Sequence, residues 1–231
     1  MEANKITRSI FETEDDWKDF RKGLFTSSQI NRLMAEPTKK EKEVGEVLSK
    51  GAKTYIMELI ANVRAKPKTQ FYSASMEWGN EQEAQAVLRL AELYGHDVTD
   101  NDFIYTSIGG YVFFTFDNKS GGTPDVIMPP AIAEIKCPDS HTHLYYMLNV
   151  NAETIADELP DYYDQMQHNM MLCQKEMCVF MSFDPRFKEV NEQVHVVEVL
   201  ADKARQQAIL EKIEHAHHYK EMLIGKLTGN E

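Results

Sequence analysis

The stretch GGTPDVIMPPAIAEIKCP, residues 121–138, surrounds a few charged side chains with segments as apolar as a protein core. Its segments DVIM and AIAEIKC have the length and β-branched content of short strands. The Pro129-Pro130 pair between them prevents continuous strand pairing and indicates a turn. The stretch therefore predicts a hairpin or two adjacent strands.

The charged residues of this stretch should meet on one face of the sheet. Side chains alternate along a strand, so Glu134 and Lys136 point to one face while Ile135 points to the other. Asp125 stands at the start of the preceding strand and reaches the same face if the two strands pair near the turn. Two carboxylates and one ammonium group would then converge.

A Glu-x-Lys pattern has a simpler interpretation as the solvated face of a half-exposed strand, where ion pairs contribute little stability. The neighbouring residues favour burial, because AIAEIKC is apolar enough for a central strand. Buried charges need partners or a metal ion. A divalent cation would satisfy Asp125 and Glu134 together.

Length and composition are ordinary for a globular protein, with 231 residues, 42% of them hydrophobic and 27% charged. We expect a single domain over residues 1–231. No apolar run approaches the roughly 20 residues of a membrane span, and the N-terminus lacks the apolar core of a signal peptide, so a cytoplasmic location is expected. Cys137, Cys173 and Cys178 show no metal-ligand spacing and should be reduced thiols.

The net charge of −12 opposes binding to nucleic acid, because affinity for phosphate backbones comes from Lys and Arg. Any DNA-binding surface must therefore be a local basic patch. The candidates are Lys18, Arg21, Lys22, Lys39-Lys40, Lys66-Lys68 and Lys136.

The periodicity of apolar residues divides the chain into a helical part (1–100), a sheet core (101–200) and a C-terminal helix (201–231). This order predicts an α/β (α+β) fold in which a mixed sheet is flanked by helices. The predicted helices are DDWKDFRKG, TSSQINRLM, residues 42–65 with an interruption near Gly51 and an end at Pro67, SMEWGNEQEAQAVLRLAELYG, HLYYMLNV and PDYYDQMQHNMMLC. The further predicted strands are two in FIYTSIGGYVFFTF, joined at Gly109-Gly110, then EMCVFMSF and VHVVEVL.

Four motifs occur in order: WKDFRKGLFTSSQI (17–30), MEWGNEQEAQAVL (76–88), the 121–138 stretch, and YYDQMQ (162–167) followed by VFMSFDPRF (179–187). Together they resemble the lambda exonuclease family, also called the YqaJ viral recombinase family, within the PD-(D/E)xK nucleases. The similarity runs from about Trp17 to Val199. It implies a restriction-endonuclease-like core.

The resemblance implies a role for each matching residue in the nuclease core. Asp125 and Glu134 match the metal-binding carboxylates, and the backbone carbonyl of Ile135 would complete the coordination. Lys136 matches the lysine that orients or activates the attacking water. Glu83, on a helix, matches an acidic residue that helps at the metal site.

Two residues of the YYDQMQ motif complete the implied site. Gln165 matches a family position near the scissile phosphate, and Tyr162, three residues earlier, is assigned to DNA binding.

Phosphodiester hydrolysis independently favours such a set. Two metal ions about 4 Å apart can serve the attacking water and the leaving oxygen together, with Asp125 between them. Mg²⁺ prefers carboxylate, carbonyl and water oxygens, so two Mg²⁺ ions are expected, with Mn²⁺ as an alternative. A nearby cation should lower the pKa of Lys136.

A second set of residues, Arg21, Ser28 and Thr123, resembles the pocket with which the family holds a 5′-terminal phosphate. Ser27 and Ser28 begin a predicted helix, where exposed amides attract phosphate, and Arg21 could add a bidentate clamp. Thr123 replaces an expected serine but keeps the hydroxyl. The alternative is that Ser27 or Ser28 is only a helix cap.

Three other features have more ordinary interpretations. The histidines of HAHH (215–218) lack the i, i+4 spacing of zinc helices and indicate a polar helix face. Trp17 and Trp78 could stack on bases but fit better as core anchors of their helices. His141 and His143 follow the catalytic strand and could touch DNA.

The combined prediction is a Mg²⁺-dependent exonuclease that degrades one strand of double-stranded DNA from a 5′ end and leaves a 3′ single-stranded tail for strand annealing. The resemblance further implies a ring-shaped homotrimer and a phage-type single-strand annealing partner. The alternatives are another nuclease of the same core, such as an endonuclease or a RecB-type repair nuclease, and a non-catalytic module that binds DNA ends.

Overall fold

The computed structural model describes residues 5–66, 74–106 and 111–229. The strands are β1 Ile6–Phe11, β2 Phe25–Thr26, β3 Ile104–Tyr105, β4 Tyr111–Phe116, β5 Ser120–Gly122, β6 Val126–Ile127, β7 Ile132–Lys136, β8 Met177–Phe183 and β9 Val194–Leu200. The helices are α1 Glu14–Phe20, α2 Asn31–Met34, α3 Lys39–Glu43, α4 Lys50–Arg64, α5 Ala74–Tyr94, α6 Ser140–Asn149, α7 Ile155–Glu158, α8 Pro160–Cys173 and α9 Lys203–Thr228.

The main sheet has five strands in the order β3-β6-β7-β8-β9. β6 and β7 pair antiparallel across the Pro129-Pro130 turn, which confirms the predicted pair of strands. β7 and β8 are parallel, and the chain between them forms the crossover helices α6, α7 and α8. β7 is central, and its residues Ile132 to Ile135 are buried, because apolar clusters cover both of its faces: Ala133 and Ile135 pack into one cluster and Ile132 into another.

A second sheet has four strands in the order β1-β4-β5-β2. Its β2–β5 pair is parallel and places Thr26 opposite Gly121, so the TSS segment lies beside the GGTPD segment. The observed architecture is therefore mixed α/β with helices around two mixed sheets, where the sequence predicted one sheet.

Several predicted elements differ from the observed ones. The part expected to be helical also contributes β1 and β2. The two strands of FIYTSIGGYVFFTF belong to different sheets, because β3 pairs with β6 while β4 pairs with β1 and β5. TSSQINRLM is the end of a strand, a 3₁₀ turn over Ser27–Gln29 and the short helix α2.

The predicted break near Gly51 lies earlier, because Ser49 caps α4 by accepting a hydrogen bond from the amide of Ala52. The predicted turn at Gly109-Gly110 and the predicted stop at Pro67 lie outside the described residues. Within those residues, no helix combines the length and the apolar character needed to cross a bilayer.

Candidate active site

The backbone of the hairpin fixes the carboxylate of Asp125. Its amide donates to the carbonyl of Ala133 (3.1 Å), and its Oδ2 accepts a hydrogen bond from the amide of Ile135 (2.6 Å). Thr106 supports the same segment, because its hydroxyl donates to the carbonyl of Pro124 (2.6 Å). Burial raises the pKa of Asp125, against the opposite effects of the Lys136 charge and the Ile135 amide.

The carboxylate of Glu134 is only 1% exposed and is held at one oxygen. Its Oε1 accepts hydrogen bonds from Nζ of Lys136 and Nε2 of Gln165, each at 2.5 Å. Its Oε2 is buried and has no hydrogen-bond partner among the described residues. Burial, and next the charge of Asp125, raise the pKa of Glu134 to about 7.

Lys136 lies between these carboxylates and an aromatic ring. Burial acts to lower its pKa, but the charges of Glu134 and Asp125 outweigh burial and raise it. The predicted lowering of the pKa of Lys136 depends on a bound cation and stays a prediction. The centre of the Tyr162 ring lies 4.9 Å from Nζ of Lys136, and this ring also stacks on Phe180. Tyr162 therefore packs against the ammonium group of Lys136.

A cavity of about 220 Å³ is lined by most of the residues predicted for catalysis and for binding of the 5′ phosphate. The predicted residues in its wall are Asp125, Glu134, Lys136, Gln165, Arg21, Ser28 and Thr123. Sequence reasoning had not assigned Thr106, Phe113 and Gly122 to this wall. Of these three residues, Gly122 could have been identified from the sequence, because it directly precedes the Thr-Pro-Asp segment.

Arg21 brings a positively charged group to this cavity. Its guanidinium lies 4.3 Å from the centre of the Trp17 ring, and the residue is half-buried. No carboxylate pairs with it in the part of the chain that the structure describes. Burial lowers the pKa of Arg21, against the effect of Tyr55. A desolvated cation that faces a cavity without a carboxylate partner is suited to an anionic ligand.

The hydroxyl groups near Arg21 differ in whether they are free to donate a hydrogen bond to a phosphate. Ser28 is exposed and lines the cavity. The hydroxyl of Thr123 donates to the carbonyl of Val112 (2.6 Å), so it must rotate before it can donate to a phosphate. Ser27 also lines the cavity, and its hydroxyl is not a helix cap, because it lies 2.7 Å from Nδ1 of His168. The predicted helix N-terminus is weak here, since α2 has four residues.

Glu83 lies in a neighbouring cavity of about 290 Å³ that shares Trp17, Thr106 and Thr123 with the first. Its Oε1 accepts a hydrogen bond from the hydroxyl of Tyr105 (3.0 Å). The structure thus places Glu83 in a cavity next to that of the carboxylate pair, and its part in metal binding stays a prediction.

Two of the remaining predictions can be compared with the structure. His143 is fully buried, with Nδ1 2.7 Å from the hydroxyl of Ser182 and Nε2 2.9 Å from the carbonyl of Glu192, so its predicted contact with DNA is wrong. Trp17 is not only a core anchor, because it lines both cavities.

The carboxylates of the cavity are suited to a divalent cation. Oε2 of Glu134 is buried without a hydrogen-bond partner among the described residues, burial raises the pKa of both Glu134 and Asp125, and hard oxygen donors suit Mg²⁺ or Mn²⁺. The site therefore fits a metal ion.

His96, Asp100 and Asp102 form a separate group with ligand atoms within 4.8 Å of one another. Asp100 and Asp102 are exposed, and such groups are common without an ion.

The YqaJ-like viral recombinase domain family matches residues 16–176 of the chain. The structure is similar to that of an alkaline exonuclease, LHK-Exo, from Laribacter hongkongensis, with 25% identity over 94% of this chain and 97% of that one and a TM-score of 0.68. LHK-Exo has also been solved in complex with dAMP. A phage-related exonuclease from Haemophilus somnus 129PT shares the fold at 18% identity, over 88% of this chain and 96% of that one, with a TM-score of 0.67. No curated protein matches the sequence significantly.

Proposed function

Since the chain belongs to the YqaJ-like viral recombinase domain family, we propose that it is a Mg²⁺-dependent exonuclease acting on linear double-stranded DNA. It degrades one strand from a 5′ end, prefers a 5′ phosphate and leaves a 3′ single-stranded tail. The family and the similarity to LHK-Exo support exonuclease activity of the phage type, and nucleases of this family depend on a divalent metal.

The observation that carries the proposal is the position of Arg21 in the same cavity as Asp125, Glu134 and Lys136. The guanidinium has no carboxylate partner among the described residues, so its natural partner is an anion. A cavity of about 220 Å³ is far too small for a duplex and suits the end of one strand. A terminal phosphate held by Arg21 would place the next phosphodiester bond toward the two carboxylates.

The residues of the site have distinct parts in hydrolysis. When bound, the metal ion would be held by Asp125, Glu134 and the carbonyl of Ile135, and it would supply Lewis-acid polarisation of the phosphate and of the attacking water. Gln165 fixes the orientation of the Glu134 carboxylate through its 2.5 Å hydrogen bond. Lys136 stays protonated in the protein alone, so its ammonium group can stabilise negative charge that develops on the phosphate.

A homotrimeric ring around DNA is part of the proposal. A net charge of −12 disfavours retention on DNA by charge, whereas enclosure would hold the enzyme on its substrate. The proposed partner is a phage-type single-strand annealing protein that takes up the 3′ tail, and the proposed location is the cytoplasm.

The test is digestion of a linear duplex beside a closed circle of the same DNA, with Mg²⁺, with Mn²⁺ and with EDTA. The proposal expects mononucleotide release from the linear DNA only, lost with EDTA. Cutting of the circle would indicate an endonuclease of the same core. Binding of ends without cleavage in any metal would indicate a non-catalytic module.

A further inference from the structure

His168, on α8, is a fully buried histidine between two serines. Its Nδ1 lies 2.7 Å from the hydroxyl oxygen of Ser27, and its Nε2 lies 3.1 Å from that of Ser120. Burial lowers the pKa of His168 to about 3, so the ring is neutral near pH 7. A neutral imidazole has one donor and one acceptor nitrogen, so only one of the two serines receives a proton from it.

Ser27 connects this histidine with the cavity. The residue is 3% exposed, yet it lines the cavity next to Arg21 and Ser28. Apart from His168, the one further hydrogen-bond partner of its hydroxyl among the described residues is the carbonyl of Gly121 at 3.4 Å, which is long for a hydrogen bond between oxygens. If Nδ1 of His168 carries the ring proton and donates to Ser27, the Ser27 proton is left with only this long contact among the described residues.

The surroundings of Ser27 are short of hydrogen-bond partners. Gly122 approaches so closely that a Cβ atom there would lie 1.9 Å from Oγ of Ser27 and 2.3 Å from Oδ1 of Asn169. Asn169 is 1% exposed, and both polar atoms of its amide lack a partner in the described part of the chain. Buried polar groups left unpaired are costly, and here they pack against Gly122, which itself lines the cavity.

We propose that His168 is a positioning residue for end recognition: its Nδ1–H donates to Ser27 and so frees the Ser27 hydroxyl to donate to the terminal phosphate at Arg21. Ser120 donates to Nε2 and thereby selects this tautomer. Phosphate binding exchanges the long contact with Gly121 for a charge-assisted hydrogen bond, which is roughly twice as strong as a neutral one. The inference rests on the proposed function, because it presumes a phosphorylated 5′ end in the cavity.

Two substitutions at one position separate positioning from mere packing. The Asn amide reaches about as far as Nδ1 and can donate to Ser27, whereas the Gln amide reaches toward Nε2 and Ser120. His168→Asn and His168→Gln each remove one ring and one hydrogen bond, so their thermal unfolding is a matched comparison of stability.

The readout is the ratio of kcat/KM on 5′-phosphorylated ends to kcat/KM on 5′-hydroxyl ends. Ser27→Ala should lower this ratio about tenfold, mainly through KM, as expected for a lost hydrogen bond to a charged group. His168→Gln should match that loss, the double variant should add nothing further, and His168→Asn should stay close to the unsubstituted protein.

A phosphate preference that survives both Ser27→Ala and His168→Gln would overturn the positioning role and leave the proposed function intact. A protein with no phosphate preference would overturn both. Imidazole ¹⁵N chemical shifts give a second test that needs neither cleavage nor a stable His168 variant. A proton on Nδ1 of His168 is expected, and a proton on Nε2 would contradict the inference.

Discussion

The ammonium nitrogen of Lys136 lies 2.5 Å from Oε1 of Glu134, while Oε2 of the same carboxylate is buried without a hydrogen-bond partner. One oxygen is thus held by the protein and the other is left for a ligand. Because an isolated buried oxygen is costly, this asymmetry is typical of a site that completes its bonding with a cation.

Lys136→Ala should reduce cleavage by on the order of 10²–10³-fold or more, because it removes the ammonium group that stabilises developing charge. Binding to duplex ends, measured by fluorescence anisotropy with Ca²⁺ in place of Mg²⁺, should change little. Lys203→Ala is the matched control, since Lys203 is exposed and pairs with Glu176. Unchanged cleavage by the Lys136 variant would contradict its catalytic assignment.

Arg21→Ala should lower the preference for a 5′ phosphate by roughly 10- to 100-fold, because the only unpaired guanidinium described in the cavity wall is lost. Arg21→Lys should restore only part of it, since an ammonium group cannot make the bidentate contact. Competition between phosphorylated and hydroxyl ends measures the effect. Arg89→Ala, at an exposed pair with Glu92, should leave the preference unchanged.

Glu134→Gln should raise the melting temperature of the metal-free protein, because it removes the charge that burial and Asp125 disfavour. The same variant should lose the stabilisation that Mg²⁺ gives the unsubstituted protein, which is about 2.7 kcal/mol at a concentration 100 times Kd. Thermal unfolding with and without Mg²⁺ measures both effects. Equal stabilisation of the variant would exclude Glu134 as a ligand, and the exposed Glu176→Gln is the control.

His168 should make the folded protein sensitive to acid. Its folded pKa of about 3 lies below the ordinary 6.5, so between these values the unfolded chain binds the proton and the folded chain does not. The free energy of unfolding should therefore fall as pH decreases through this window, by up to about 1.4 kcal/mol per pH unit from this group. Urea unfolding at several pH values should show a smaller slope for His168→Asn, and an equal slope would contradict the assignment.

Gly122→Ala should destabilise the protein by about 1–3 kcal/mol and impair cleavage, because the added methyl group would overlap Ser27 and Asn169. Gly225→Ala is the matched control. A Cβ atom there meets nothing within 4 Å, and the residue lies inside α9, so this change should stabilise by up to about 1 kcal/mol. Denaturant midpoints distinguish the two, and equal effects would refute the close packing at Gly122.

Local patterns predicted the hairpin of Asp125 and Glu134 well. The pair β6–β7 and the shared face of Glu134 and Lys136 follow from alternation and from the prolines, which act within a few residues. The bounds of α8 and β9 likewise match the predicted segments, since Pro160 starts the helix at its first turn.

Contacts between residues that are far apart in the sequence could not be predicted from local patterns. β1 was missed because the segment ITRSIF alternates poorly, and its partner β4 lies about a hundred residues further along the chain. The link between Ser27 and His168 spans 141 residues, so no local spacing could indicate it. Whether Arg21 has a carboxylate partner likewise depends on the tertiary structure, which decides which Asp and Glu side chains lie near its guanidinium.

The proposed 5′-to-3′ polarity can be measured by digesting a linear duplex that carries separate labels at the 5′ and 3′ ends of one strand, with and without a 5′ phosphate. The 5′ label should be released first in Mg²⁺, faster from the phosphorylated end, and Arg21→Ala should remove this difference. Release of the 3′ label first, or equal rates from phosphorylated and hydroxyl ends, would contradict the proposed function.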